Sequence, residues 1–157
     1  MLEEDLSSEI KNINRFETEI AKKYTTFLGQ YPEIFSDLIR GSDFDFALYN
    51  SIGEYDDHSP VDVFNVLRNG RGIEIIPGKA KDADLELALS IEAIEKLIQT
   101  NTKEEYTKLL GEFYNEPDED KGWIDFKLYK RTKTIIDMGY GKFAKTAGIL
   151  KDEDDIY

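Results

Sequence analysis

The stretch that decides the fold is residues 83–98, ADLELALSIEAIEKLI. Its first half alternates with period two, placing Leu85, Leu87 and Leu89 on one face, which is typical of a half-buried strand. Ser90 then stands where a helix N-cap is expected, because its hydroxyl can accept a backbone N–H of the first turn. The apolar residues that follow recur at steps of three and four, and they are Ile91, Ile94, Leu97 and Ile98. The stretch therefore predicts a strand that runs directly into an amphipathic helix.

Three other segments also have the composition or alternation of strands: residues 43–48 (DFDFAL), 61–76 and 123–129 (WIDFKLY). Within 61–76, Asn69-Gly70 stands between two apolar runs and favours a two-residue hairpin turn. A helix started by Ser59-Pro60 is the alternative for the first part of that segment. The residues before it, 50–60, read as a polar loop.

Helical periodicity appears at both ends of the chain. Residues 4–28 form an amphipathic pattern that Gly29 is expected to end, and Pro32 opens a short helix that Gly41 ends. Thr102 begins a helix with Glu105 three residues later, a complete capping box. Residues 142–150 predict a terminal helix, whereas 130–138 fit neither period. This order predicts an α+β fold in which an antiparallel sheet carries helices on one face.

Composition excludes several kinds of chemistry. The 157 residues include no Cys and a single His, His58, so disulfides, a cysteine nucleophile and multi-histidine metal cages are excluded. The formal charge is −13, yet residues 121–151 carry eight cations against Asp125 and Asp137 only. Such a segment is suited to an anionic head group, or it neutralises neighbouring acidic helices. No apolar run approaches the roughly 20 residues of a membrane span, and the acidic start lacks a signal-peptide pattern, so we expect a cytoplasmic protein.

Two short motifs need an interpretation. Asp56-Asp57-His58 is the one cluster with carboxylates and an imidazole, and adjacent loop residues seldom converge on a cation, so it indicates loop polarity. Gly139-Tyr140-Gly141-Lys142 before a helix is compatible with a phosphate-binding turn, but its spacing matches neither common glycine motif, and a structural joint is the alternative. Aromatic residues interleave with the cations of 121–151, a feature of nucleic-acid binding that the net charge opposes. We predict no catalytic residue, metal or cofactor.

The segment NGRGIEIIPGKAKDADLELALSIEAIEKLI, with the later GWIDFKLY strand and KFAKTAGIL helix, resembles the sterol carrier protein domain over residues 44–150. The resemblance implies a five-stranded, antiparallel or mixed sheet with helices on one face, enclosing a tunnel for fatty acyl chains, sterols or related lipids. The strand residues it implies for the lining are Leu87, Leu89, Phe126 and Leu128. The helix residues it implies are Ile94, Leu97, Leu110, Phe113 and Phe143. Lys130, Arg131 and Lys142 are then candidates for the ligand's head group.

These observations predict a helical segment at 1–41 packed on an α+β domain at 42–150, and a charged tail at 151–157. The leading hypothesis is a non-enzymatic module that binds or transfers a hydrophobic ligand. The second is a protein-interaction module without a cavity, forming a homodimer through residues 4–28. A third is an enzyme that holds a phosphorylated substrate at the Gly139–Lys142 turn.

Overall fold

The computed structural model describes residues 16–70 and 72–149. The order expected from the sequence is helices, a group of strands, two helices, a strand and a last helix. The structure adds a short helix between the first two strands and replaces the last helix by two short helices joined by a π turn. The described elements are α1 (Glu19–Gln30), a 3-10 turn (Pro32–Phe35), β1 (Asp43–Tyr49), α2 (Ile52–Asp56), β2 (Asp62–Asn69), β3 (Gly72–Pro77), β4 (Leu85–Ser90), α3 (Ile91–Leu97), α4 (Lys103–Asn115), β5 (Ile124–Leu128), α5 (Thr132–Ile135), a π turn (Ile136–Tyr140) and α6 (Gly141–Thr146).

The five strands form one mixed sheet in the order β3-β2-β1-β4-β5. Strands β2 and β3 pair as an antiparallel hairpin, with Asn69 opposite Gly72, so the hairpin prediction is confirmed and the helical alternative is wrong. The two central strands, β1 and β4, are parallel, with Phe46 opposite Leu87. The remaining pairs are antiparallel. The fold is thus the predicted α+β class with a five-stranded mixed sheet.

One face of the sheet, here called the helix face, packs against most of the helices. Alternation places Phe44, Phe46 and Leu48 of β1 on this face, with Leu85, Leu87 and Leu89 of β4 beside them, and all six are buried in one core. Hydroxyl groups cap the helices above them, since Ser90 Oγ accepts the Ala93 N–H at 3.2 Å. Thr102 Oγ1 likewise accepts the Glu105 N–H at 3.1 Å. The strand-to-helix prediction for residues 83–98 is therefore confirmed.

The opposite face, here called the outer face, carries the short helix α2, which corrects the prediction of a loop over 50–60. This helix forms because Ser51 Oγ accepts the Glu54 N–H at 3.1 Å and because Tyr55 has a partner to pack on. The Tyr55 ring lies 5.3 Å from the Trp123 ring, and its hydroxyl donates to Asp125 Oδ2 at 2.7 Å. A small second core therefore covers part of the outer face.

The N-terminal helix differs in its bounds from the sequence expectation. Gly29 does not end α1, which continues to Gln30, so that prediction is wrong by one or two residues. Tyr24 and Leu28 are fully buried against the helix face, so this part of the amphipathic stripe packs on the chain's own core. Residues 4–15 of the expected helix and the tail 151–157 lie outside the described residues, and dimerisation through residues 4–28 stays a prediction.

Candidate functional site: an apolar cavity under the C-terminal helices

A cavity of about 290 Å³ lies between the helix face and the C-terminal helices. Its lining is almost entirely apolar. The sheet contributes Phe44, Leu85, Leu87, Phe126 and Leu128 to it. The helices and turns contribute Phe35, Leu38, Tyr106, Leu110, Tyr114, Thr132, Ile135, Ile136, Tyr140, Gly141, Phe143, Ala144 and Ile149. The arrangement is suited to hydrocarbon, because a site of this kind has few polar groups to offer.

One side of the cavity is formed by residues 132–149, here called the roof, which contains α5, the π turn and α6. Gly139 lets the roof lie against the chain that follows the 3-10 turn. It has a φ of +100°, and a Cβ atom there would lie 2.0 Å from the Asp37 carbonyl oxygen. The Ile39 N–H donates to the Met138 carbonyl at 2.9 Å in the same contact. The glycines of the Gly139–Lys142 turn thus serve close packing, as a structural joint requires.

The far end of the roof rests on α4 through another glycine. A Cβ atom on Gly111 would lie 1.7 Å from the Ala147 carbonyl oxygen, so only glycine allows this approach. Asn115 Nδ2 donates to the Gly148 carbonyl at 3.0 Å and adds a polar contact between the same two elements. The roof is therefore held at its middle and at its C-terminal end.

A buried carboxylate ties the middle of the roof to the sheet. Asp84, immediately before β4, accepts the Tyr140 hydroxyl at 2.8 Å and the Asp43 N–H at 2.8 Å. Lys130 also donates to Asp84, and this hydrogen bond raises the pKa of the Lys130 ammonium. Burial, reinforced by Asp84 as acceptor, raises the pKa of Tyr140. The one phenol of the roof is thus neutral, and its hydroxyl is engaged away from the hydrocarbon surface.

The inner end of the cavity contains a second buried phenol. Tyr106 of α4 lines the cavity, and its hydroxyl is hydrogen-bonded to the Tyr24 hydroxyl of α1. Both residues are fully buried, and burial raises the pKa of each. These two hydroxyls satisfy each other, so the cavity wall needs no polar ligand atom at that point.

The cavity opens beside β5, which is an edge strand of the sheet. Phe126 of β5 packs on Tyr114 of α4, with ring centroids 5.3 Å apart. Tyr114 is 37% exposed and Leu128 is 44% exposed, although both line the cavity. Thr132, which starts α5, is also exposed. These residues form the mouth of the cavity.

The structure brings together five of the nine residues that the resemblance implied for a lining: Leu87, Leu110, Phe126, Leu128 and Phe143. The other four, Leu89, Ile94, Leu97 and Phe113, are buried in the core but do not line the cavity. Their side chains face inward as the periodicity requires, and neighbouring side chains fill the space around them. A ligand-binding role for the first five stays a prediction.

The three head-group candidates have different surroundings. Lys130 is engaged with the buried Asp84. Lys142 Nζ lies 3.5 Å from Asp37 Oδ1 and is 74% exposed. Arg131 is exposed and directly precedes Thr132 at the mouth. Arg131 is therefore the candidate that lies next to the opening.

Several lining residues were not predicted from the sequence because they lie in the roof. Ile135, Ile136 and Tyr140 fall in residues 130–141, where a short helix and a π turn interrupt any single period. Leu85 was expected on the apolar face of its strand, but nothing in the spacing of Leu85 or Tyr106 indicates that they border a void. Elsewhere, no group of His, Cys, Asp or Glu side chains among residues 16–70 and 72–149 is arranged to hold a metal ion.

Comparisons with known proteins add a resemblance in fold. No family model matches the chain, and no curated protein matches it. A solved structure described as "UbiJ-SCP2 Ubiquinone synthesis protein" is similar over 82% of this chain and 88% of its own, with 13% identity and a TM-score of 0.38. The chain has the fold class that the sterol carrier resemblance predicted. At this similarity we take neither ligand nor activity from the neighbour.

None of the helices in residues 16–70 and 72–149 is long and apolar enough to cross a membrane.

Proposed function

We propose that the protein binds a single acyl chain, or a similar flexible hydrocarbon, in the cavity beneath the roof and acts as a non-enzymatic carrier of it. The observation that supports this proposal is an apolar cavity of about 290 Å³ whose mouth lies at a sheet edge. An engineered apolar cavity of about 150 Å³ stays dry and takes up benzene, so a larger apolar cavity is suited to a larger hydrocarbon.

The size of the cavity favours a chain over a bulky rigid ligand. Small-molecule sites range from about 300 to 1,000 Å³, and this cavity lies at the lower end of that range. An acyl chain can place part of its length inside and leave the remainder at the mouth. A fused-ring ligand cannot divide itself in this way.

Burial of hydrocarbon supplies the binding energy. Each methylene removed from water contributes about 0.8 kcal/mol, or about fourfold in affinity. The carboxylate of a fatty acid would stay at the mouth. Thr132 lies there, and Arg131 is the residue directly before it, so a hydroxyl and a guanidinium are both near the carboxylate. Leu87, Leu110, Phe126, Leu128 and Phe143 would contact the chain.

The first experiment is a chain-length series. Protein freed of lipid is titrated by calorimetry with octanoic, decanoic, lauric, myristic and palmitic acid. We expect affinity to rise about fourfold per methylene until the cavity is full, and then to level off. Protein purified under native conditions should also carry acyl chains that mass spectrometry identifies.

A matched pair of variants locates the site. Phe126→Asp places a carboxylate at the half-buried wall of the mouth and should abolish acyl binding. Phe16→Asp is the control, because Phe16 is also half-buried but packs on Phe64 with ring centroids 5.8 Å apart, outside the lining. Absence of any acyl uptake by the folded wild-type protein would refute the proposal, and so would equal binding by both variants.

A further inference from the structure

The surface of the roof has the opposite charge to the rest of the chain. The roof and the two residues before it, 130–149, contain five cations, Lys130, Arg131, Lys133, Lys142 and Lys145, and Asp137 as their one anion, in a chain of net charge −13. Ile135, Ile136, Tyr140 and Phe143 face the core from this segment, and none of its charged residues lines the cavity. Arg131, Lys133, Lys142 and Lys145 are all exposed.

The charge of this surface is only partly neutralised within the chain. Among the described residues, ion pairs involve two of the five cations: Lys130 with the buried Asp84, and Lys142 with Asp37 at 3.5 Å. The second pair is long, its lysine is 74% exposed, and Asp37 also pairs with Lys103 at 3.1 Å, so Lys142 is only weakly neutralised. The roof therefore presents a cationic surface directly above an apolar cavity.

Exposed apolar groups border the same surface. Leu128 is 44% exposed and Tyr114 is 37% exposed, and both lie at the mouth. Leucine and tyrosine beside lysine and arginine suit the interface of a bilayer, where aromatic rings lie at the level of the head groups and cations meet anionic lipid. A nucleic acid would match the cations and could stack on the tyrosine, but the exposed Leu128 has no counterpart there and the net charge of −13 opposes it.

We propose that the roof and mouth dock on the surface of an anionic lipid bilayer, which would bring the opening of the cavity to the membrane. The choice of a lipid surface rests on the proposed function, since a carrier of acyl chains must exchange them with a source. The acidic remainder of the chain would be repelled by the same surface. Docking is therefore expected in one orientation, with the roof toward the lipid.

Vesicle sedimentation tests this docking with the full chain. The probes are vesicles of phosphatidylcholine alone and vesicles of phosphatidylcholine with phosphatidylglycerol, at low and at physiological salt. We expect binding to the anionic vesicles only, weakening as salt rises because surface charges are screened. Binding that is equal for both kinds of vesicle, or absent at low salt, overturns the proposal.

Charge variants locate the surface. Lys133→Gln with Lys145→Gln removes two roof cations, and each should contribute about fivefold, so affinity for anionic vesicles should fall about 25-fold. Lys22→Gln with Lys23→Gln is the control, because these exposed lysines lie on α1, which packs toward β3 at the opposite edge of the sheet. An equal effect of both pairs overturns the proposal.

The two proposals fail in different ways. Decanoate binding without vesicles should be the same in wild type and in Lys133→Gln with Lys145→Gln, since neither lysine lines the cavity. Acyl binding without any vesicle docking would overturn this inference and leave the proposed function intact. Vesicle docking that depends on the roof, without acyl uptake, would support this inference and refute the proposed function.

Discussion

Two equally buried leucines allow a test of whether enlarging the cavity changes the length of acyl chain that it accepts. Leu110 of α4 and Leu97 of α3 are both fully buried in the same core, but only Leu110 lines the cavity. Truncation to alanine removes three carbons, worth about 2.4 kcal/mol in transfer from water. With the void left behind, Leu→Ala in a core costs about 3–5 kcal/mol. We expect both variants to lose stability in this range, with Leu110→Ala at its lower end because Leu110 already borders empty space.

The two variants should differ in the ligands they accept. Leu110→Ala adds room for about three further carbons, so the chain length at which affinity levels off should rise by about three methylenes. At about 0.8 kcal/mol each, an acid of that greater length should bind about 50-fold more tightly than to wild type. Leu97→Ala should leave the chain-length profile unchanged, since the space it opens is separate from the cavity lining.

The assay combines urea unfolding with calorimetric titration of the fatty acid series. Urea unfolding shows whether each variant is folded and by how much its free energy of unfolding has fallen. Calorimetry then gives the affinity for each chain length. The reasoning is refuted if folded Leu110→Ala keeps the wild-type profile, or if Leu97→Ala shifts it by the same amount.

Two predictions concern stability alone. Tyr24→Phe should lower the free energy of unfolding by about 1–3 kcal/mol, because it leaves the Tyr106 hydroxyl buried without its partner. The double variant, Tyr24→Phe with Tyr106→Phe, should cost less than the two single changes added together. Additive costs in urea unfolding would contradict this. Burial raises the pKa of Glu86 on the outer face, so the folded state holds this proton to a higher pH than the unfolded state does. Stability therefore falls as pH rises from the unfolded-state pKa to the folded-state pKa. Glu86→Gln should therefore be more stable than wild type at neutral pH, with the difference disappearing below the ordinary pKa of a glutamate; the opposite pH trend in thermal unfolding would contradict this.

The sheet was predictable because its signals are local. The alternation around Leu87 and the hairpin signal at Asn69-Gly70 each depend on a few adjacent residues, and they indicate which face of β4 is buried and that a hairpin follows β2. The hydroxyl caps at Ser90 and Thr102 are equally local. The parallel pairing of β1 with β4 was not predicted, since periodicity within one strand does not say which strand lies beside it.

The cavity was harder to predict because it depends on distances between elements. Leu89 and Leu87 have the same period and the same face, yet only Leu87 borders the cavity. What separates them is the path of the roof, which lies over one part of the helix face. That path depends on Gly139 against Asp37 and on Gly111 against Ala147, contacts between residues far apart in sequence.

The same contacts explain why the core does not close over the void. An empty apolar cavity costs free energy, and a segment free to move inward would reduce it. The roof meets the Asp37 backbone at Gly139, and its Ala147 backbone meets Gly111 of α4, both at distances that only glycine permits. Next to Gly139, Asp84 holds the Tyr140 hydroxyl at 2.8 Å, and an inward shift of the roof would break this buried hydrogen bond. Polar and backbone contacts at the margins of the cavity therefore keep it open despite its cost in free energy. A hydrocarbon ligand would fill the space and leave these contacts in place.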